Sequence, residues 1–301
     1  QAGVSVNFER LGILPSFVNL LKIRTAYGAS GVLPGSLDGY DRLWTAVNSG
    51  YGGAGVLALI GNAGIKPESL QEIEAGLDAE FLGSRLGLEV TGFYNFATNA
   101  IIGKPNAPST GQTASTVPFN VGKLNGWGVE SKIYGTPLKT QNAVLDLTMI
   151  WNYNDNEVKD IGDSQPIYDG FSRNVIKAGL TRSAFFLPVV IGANFDANGK
   201  YLSPKFQTDA KGVQERVYVG RPTPLYNGSF TANLNLFKRV NVYVLTDWAL
   251  GHSVFNGTQQ FHSNPVYGNN KAYNELRAQL GLVTIPGITA LAVGSNEYKA
   301  V

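Results

Sequence analysis

Apolar and polar residues alternate with a period of two along much of this chain. Ile73, Ala75, Leu77, Ala79 and Phe81 are interleaved with Glu74, Gly76, Asp78 and Glu80. Wound as a helix, the two sets would smear around the axis; in a strand they fall on opposite faces. The same alternation marks Val4 to Phe8, Leu21 to Tyr27, Leu86 to Phe96, Trp127 to Ile133, Ala143 to Tyr153, Phe230 to Leu236 and Val240 to Trp248, broken by Phe93. The spacing therefore predicts eight strands. Several reach the length of about 9–11 residues that a tilted membrane-spanning strand needs, beyond the 5–6 typical of ordinary strands.

The connections carry a second signal. Gly83-Ser84, Gly135 to Thr140 and Phe237-Lys238-Arg239 are short, whereas about residues 29–68, 104–116, 156–227 and 256 onward are long. From the second strand on, short and long alternate, which puts every long connection at one end. Membrane barrels combine short periplasmic turns with longer extracellular loops in this way. Tyr27, Tyr94, Phe96, Trp151, Tyr153 and Trp248 fall at the long-loop end of their strands, on the apolar face, and Phe81 and Tyr134 at the short-turn end. Two aromatic levels around an aliphatic band are the girdle pattern of such barrels. Glu72, Glu74, Asp78, Glu80, Glu89, Lys132 and Asp247 then point inward, as a solvated channel wall.

Composition sharpens this picture. Charged residues make up 15 % of the 301, against about 25 % in soluble domains, as suits a protein with lipid-facing surface. Lys plus Arg is 24 and Asp plus Glu is 22, with no like-charged run, so nothing suggests nucleic acid as partner. With no cysteine, disulfides and thiolate metal sites are excluded. The longest apolar run, 184–193, is far short of the roughly 20 residues of a membrane helix and contains Pro188 and Gly192.

No catalytic chemistry emerges. His252 and His262 lack Glu or Cys at metal-ligand spacing. Gly50-Tyr51-Gly52-Gly53-Ala54-Gly55 has no following Lys-Ser or Lys-Thr, so it reads as a loop tip, not a phosphate loop. No Gly-x-Ser-x-Gly elbow and no carboxylate pair in a glycosidase context occurs. An enzyme is not expected, nor a cofactor, and no residue can be assigned to substrate binding. The long loops carry Tyr40, Trp44, Tyr51, Tyr168, Phe171, Phe185, Phe186, Gln259, Gln260 and Tyr267. These either grip a sugar or peptide or pack loop against loop.

Several stretches together resemble one family. Leu21-Lys22-Ile23-Arg24-Thr25-Ala26-Tyr27-Gly28-Ala29-Ser30-Gly31 is similar to a strand of SusC/RagA-like TonB-dependent outer-membrane transporters. So is Asn62-Ala63-Gly64-Ile65-Lys66-Pro67-Glu68, where Ala63 replaces the family's Pro, followed by Glu72-Ile73-Glu74-Ala75-Gly76-Leu77-Asp78. Arg85-Leu86-Gly87-Leu88, Phe93-Tyr94-Asn95, Val121 to Glu130, Val219-Gly220-Arg221-Pro222, Tyr226 to Phe230 and Asp247-Trp248 continue in the family's order.

The resemblance implies an all-β fold, an antiparallel transmembrane β-barrel segment of about eight strands from a twenty-two-stranded barrel. These would be about the twelfth to nineteenth strands. All 301 residues then belong to one partial barrel domain, with the plug, the TonB-contacting segment and the last strands outside it. It implies active import of an oligosaccharide or peptide across the bacterial outer membrane. The partners implied are the TonB complex acting through the plug, a SusD-like surface lipoprotein as lid, and membrane lipid. A secreted or surface all-β glycan-binding or adhesion protein, or a passive porin, are the alternatives.

Overall fold

The structure is a computed structural model that describes residues 1–49, 52–110, 116–169, 173–263, 271–282 and 286–300. In chain order the strands are β1 (Ala2–Asn7), β2 (Val18–Val32), β3 (Arg42–Ser49), β4 (Gly52–Leu59), β5 (Glu68–Phe81), β6 (Leu86–Pro105), β7 (Thr116–Lys139) and β8 (Ala143–Asp160). They continue with β9 (Ile167–Tyr168), β10 (Asn174–Ile176), β11 (Ala184–Pro188), β12 (Val190–Phe195), β13 (Tyr201–Phe206), β14 (Arg216–Gly220), β15 (Tyr226–Leu236) and β16 (Val240–Leu250). Short helices α1 (Gly257–Ser263), α2 (Lys271–Gln279) and α3 (Asn296–Ala300) follow, none long and apolar enough to cross a membrane.

The chain forms two units, Gln1–Phe185 with Gly220–His252, and Phe186–Val219 with Ser253–Val301. The first is built on an antiparallel eight-stranded sheet in the order β1-β2-β5-β6-β7-β8-β15-β16. These are the eight strands that the alternation predicts. The sheet is not closed: β1 and β16 are its edges. Residues 8–17, 82–85, 140–142 and 237–239 connect strands at one end, and the long connections leave from the other. The short turns are stitched into a rim, with Leu82 N–H donating to Phe17 O (2.9 Å), Thr136 N–H to Arg85 O (2.9 Å) and Phe237 N–H to Asn142 O (2.7 Å).

Register fixes which face each side chain takes. Tyr27, Ile73, Tyr94 and Trp127 are direct neighbours across β2, β5, β6 and β7. Two residues nearer the short turns, Tyr153 of β8 pairs with Tyr226 of β15, and the rings sit 5.4 Å apart. Two residues lower again, Trp151 and Trp248 both pair with Gly228. From Tyr94 on β6 to Trp248 on β16, the aromatic row thus steps down by about one residue per strand. With about 3.3 Å per residue and 4.8 Å between strands, a level row requires strands leaning by about 35°, the tilt of membrane barrels.

The phenol groups all turn toward the long-loop end. Tyr27 Oη donates to Gln71 (2.7 Å), Tyr94 Oη accepts from Asn125 (2.5 Å), and Tyr153 Oη donates to Asp155 (3.5 Å). Each partner stands two residues farther toward the long-loop end. An interfacial tyrosine buries its ring in the apolar layer and lifts its hydroxyl out of it. From this row to the short turns β15 counts 11 residues (Tyr226–Leu236) and β16 nine (Val240 to Trp248), lengths that suit a tilted span.

The aromatic level at the short-turn end is thinner than the pattern implies. Tyr134 does not join Phe81 there. Ile133 already occupies the apolar face, so its successor turns to the polar one. Tyr134 lies opposite Gly87, with its hydroxyl donating to Glu80 (3.1 Å) and Lys132 Nζ 4.6 Å from its ring centroid. Phe93 likewise belongs to the polar face, over Gly128, which explains its break in the alternation.

β6, β7 and β8, with 20, 24 and 18 residues, run well past the aromatic row. Beyond it the two faces exchange character. The face that carried Leu77, Val90 and Val129 continues with Gln71, Asn125, Glu157 and Lys159. The face that carried Glu74 and Glu130 continues with Leu70, Ala97, Leu124 and Val158. On this second face Ile102, Val158 and Ile161 form a buried cluster, packed by Val121, Leu124, Ile167 and Ile176. The connection after β8 folds onto it, with Val175 and Ala184 fully buried.

In the second unit, β12 pairs with β13 and Tyr298 is its buried anchor, accepting a hydrogen bond from Tyr201 N–H (2.9 Å).

Candidate functional site

The site grows out of the face exchange. At Asn99 (φ 57°) and again between Gly122 and Asn120 the β6–β7 ladder slips register. A bulge bends its strand and frees a backbone donor. Ile101 N–H is that donor, and Glu68 of β5 accepts it at 2.6 Å. Asn120 holds the other side of the slip, donating to Lys66 O (2.6 Å) and Asn99 O (2.9 Å) and accepting from Lys66 N–H (2.6 Å). The stretch Asn62 to Glu68 singled out in the sequence is therefore the lead-in to β5, pinned to β7.

Glycine makes the wall thin where side chains cross it. A Cβ on Gly126 would stand 2.5 Å from Asn95 Oδ1, and one on Gly122 would stand 2.7 Å from Ala100 Cβ. The glycines in the segment from Val121 to Glu130 let neighbouring β6 side chains lie across β7.

A cavity of about 750 Å3 opens here, within the first unit and at its long-loop end. Its aliphatic wall comes from β5, β6 and β7, including Leu70, Ile102 and Leu124, and from Ile176 and Pro222 of the connection after β8. Among the described residues polar side chains are few: the amides of Asn95 and Asn156, the hydroxyls of Ser183 and Thr223, and one charge of each sign, Glu68 and Arg182, while Asn125 turns its amide to the other face, onto Tyr94. An apolar enclosure with a few placed polar groups is the usual make-up of a ligand site. Asn156 Oδ1 accepts from Thr181 Oγ1 (3.0 Å) and Arg182 N–H (2.8 Å), which fixes the cavity roof to β8. Arg221, from the Val-Gly-Arg-Pro stretch, adds an ion pair to Asp155 at 2.7 Å.

Between this cavity and the short turns the polar face carries charge in cross-strand rows. Lys22, Asp78, Glu89 and Lys132 share one row. Asp78 meets Arg24 at 3.2 Å and Lys22 at 3.7 Å, and Lys132 meets Glu89 at 3.1 Å. Arg24 also donates to Thr91 Oγ1 (2.6 Å). Glu72, Glu74 and Glu130 border a smaller hollow of about 450 Å3 with Arg24, Phe93 and Asn95. The register puts all seven inward charges expected from the sequence, Asp247 included, on this polar face.

The loop aromatics do not gather at the cavity. Tyr40 and Trp44 are exposed, Phe185 is buried in packing, and Gln259 and Gln260 sit in α1. Tyr168 lies in β9, and neither it nor Phe186 lines the cavity. Tyr51, Phe171 and Tyr267 lie outside the described residues, as does the Gly50-Tyr51 part of the glycine-rich stretch, and the side chain of His262 is likewise not described. His252 is exposed. What the sequence reading missed is Asn120, Asn156, Arg182 and the aliphatic wall. A signal existed in the loss of alternation after Phe96, where Ala100, Ile101 and Ile102 run together.

The profile of the family described as "TonB dependent receptor-like, beta-barrel" matches residues 3–273. The TonB-dependent receptor SusC of Bacteroides thetaiotaomicron is 24 % identical over 236 residues, covering 70 % of this chain and 23 % of the relative. The solved RagAB peptide transporter superposes with a TM-score of 0.70 at 18 % identity, covering 87 % of this chain and 30 % of that one. The RagAB peptide importer in the closed-closed state gives the same TM-score at 19 % identity, with 87 % and 30 % covered. The chain thus spans about a quarter of the length of SusC, and its likeness to RagAB is one of fold.

Proposed function

Since this chain belongs to the TonB-dependent receptor-like β-barrel family, we propose that it forms wall and mouth of an outer-membrane importer for an oligosaccharide or peptide. Uptake is driven by the TonB complex through a plug domain, and a SusD-like surface lipoprotein covers the long loops. The face exchange at the tyrosine row carries this reading. It supports a short-turn end embedded in lipid and a long-loop end standing in water, with the cavity opening outward, where a nutrient arrives. The polar face below offers a hydrated path with few apolar groups. Its protein is a carrier, not an enzyme.

The test is uptake by bacteria carrying the full-length protein, supplied with labelled oligosaccharide and peptide pools. Active import predicts entry that stops when a protonophore collapses the proton gradient and when TonB is lost. Entry that persists under both treatments identifies a passive porin. Retention at the surface without entry identifies a binding or adhesion protein.

A further inference from the structure

The substrate class can be narrowed from the cavity wall, resting on the import reading above. Among the described residues no aromatic ring lines the cavity. A sugar offers flat C–H faces that aromatic rings hold well, and a dense set of hydroxyls that need many polar partners. This cavity supplies the opposite, an aliphatic wall with the side-chain amides of Asn95 and Asn156. An amide both donates and accepts, which suits the alternating N–H and C=O of a peptide backbone, while Leu70, Ile102 and Leu124 suit apolar side chains.

The charges add direction. One Glu68 oxygen takes the Ile101 N–H, which fixes the carboxylate in the cavity wall. The Arg182 backbone is held by Asn156, and its guanidinium makes no ion pair among the described residues. We propose that this cavity binds a short peptide with aliphatic side chains and free ends, its ammonium toward Glu68 and its carboxylate toward Arg182.

The experiment is calorimetry on the purified full-length protein in detergent, with three probes: tri-leucine, tri-leucine acetylated and amidated at its ends, and maltotriose. The free peptide is expected to bind, the blocked peptide about tenfold more weakly or worse, as for loss of a charge-assisted hydrogen bond, and maltotriose not at all. Arg182→Gln should weaken the free peptide by about tenfold yet leave its carboxy-amidated form unchanged, a split that a general loss of structure would not give. Leu124→Trp, which fills the cavity, should abolish binding while the protein keeps its heat-modifiable gel mobility.

Equal binding of free and blocked peptide, no peptide binding at millimolar concentration, or maltotriose binding lost in Leu124→Trp would each overturn the proposal. Failure here is separable from failure of import. Protonophore-sensitive entry of maltotriose would leave import standing and remove the peptide. Peptide binding without energy-dependent entry would do the reverse.

Discussion

The guanidinium of Arg221 closes on the carboxylate of Asp155 at 2.7 Å, with their side chains 9 % and 24 % exposed. Its remaining N–H groups donate to Thr181 Oγ1 and Thr223 O, both at 3.2 Å. One side chain thus ties β8 to two points of the connection returning to β15. Arg221→Ala leaves Asp155 without its cation and costs about 3 kcal/mol. Arg221→Lys keeps the charge but loses the planar fork and recovers only part. Limited proteolysis should show new cleavage within residues 173–185 in both variants, stronger in the alanine form, with the sheet still protected.

Gly128 faces the Phe93 ring, whose Cζ lies 2.6 Å from where a Cβ would stand, and the Tyr153 carbonyl is closer still. The ring can tilt, but a backbone carbonyl inside a ladder cannot. Gly128→Ala should therefore destabilise by about 1–3 kcal/mol, read as a lower denaturant midpoint for folding into bilayers. Phe93→Leu in the same background should restore part of the loss; no rescue would show that the carbonyl alone sets the strain.

The face exchange can be mapped with a single charge. Arg in place of Val90 or Leu77 lies in the apolar band and should cost about 2–4 kcal/mol. The same change at Thr98 or Glu157, on the same face but beyond the tyrosine row, should cost less than about 1 kcal/mol. Folding titrations in lipid vesicles read the difference. Equal costs at all four positions would mean that the row does not mark the membrane surface.

Asp160, at the outer end of β8, holds its carboxyl below the usual range because it accepts the Gly162 N–H and, next, faces Lys123 at 3.3 Å. A depressed folded value means that the stabilisation is complete above the ordinary carboxylate range and fades as pH falls through the folded value. Exchange of the Gly162 amide, corrected for its intrinsic rate, should be flat from pH 8 down to about 4 and accelerate only below that. Asp160→Asn should be faster throughout and lose the acid step.

How much of this was written in the alternation depends on which side of the aromatic row a residue lies. Below it, lipid and lumen demand opposite polarity, so the period of two survives and all eight strands can be read, from Val4 to Trp248. Above it, both surfaces of the wall meet water or folded chain. The apolar set changes sides, and the bulge at Asn99 shifts the phase, so β7 read from Trp127 when it begins at Thr116. The inward charges were legible because parity alone assigns them. The cavity was not, because Ile176, Arg182 and Pro222 reach it through chain reversals that no local pattern encodes. Tyr134 does lie at the short-turn end of β7, but parity gives it the polar face, so it adds nothing to an aromatic level there.

From Thr116 to Trp127, β7 climbs 11 residues above the tyrosine row. At about 3.3 Å per residue and a lean of about 35°, that is about 30 Å, as tall as the hydrocarbon layer is thick. On the import reading, the cell would therefore show the outside world a stiff paired ribbon of β6 and β7, not merely loop tips. An antibody, a phage fibre or a host protease would meet hydrogen-bonded backbone first.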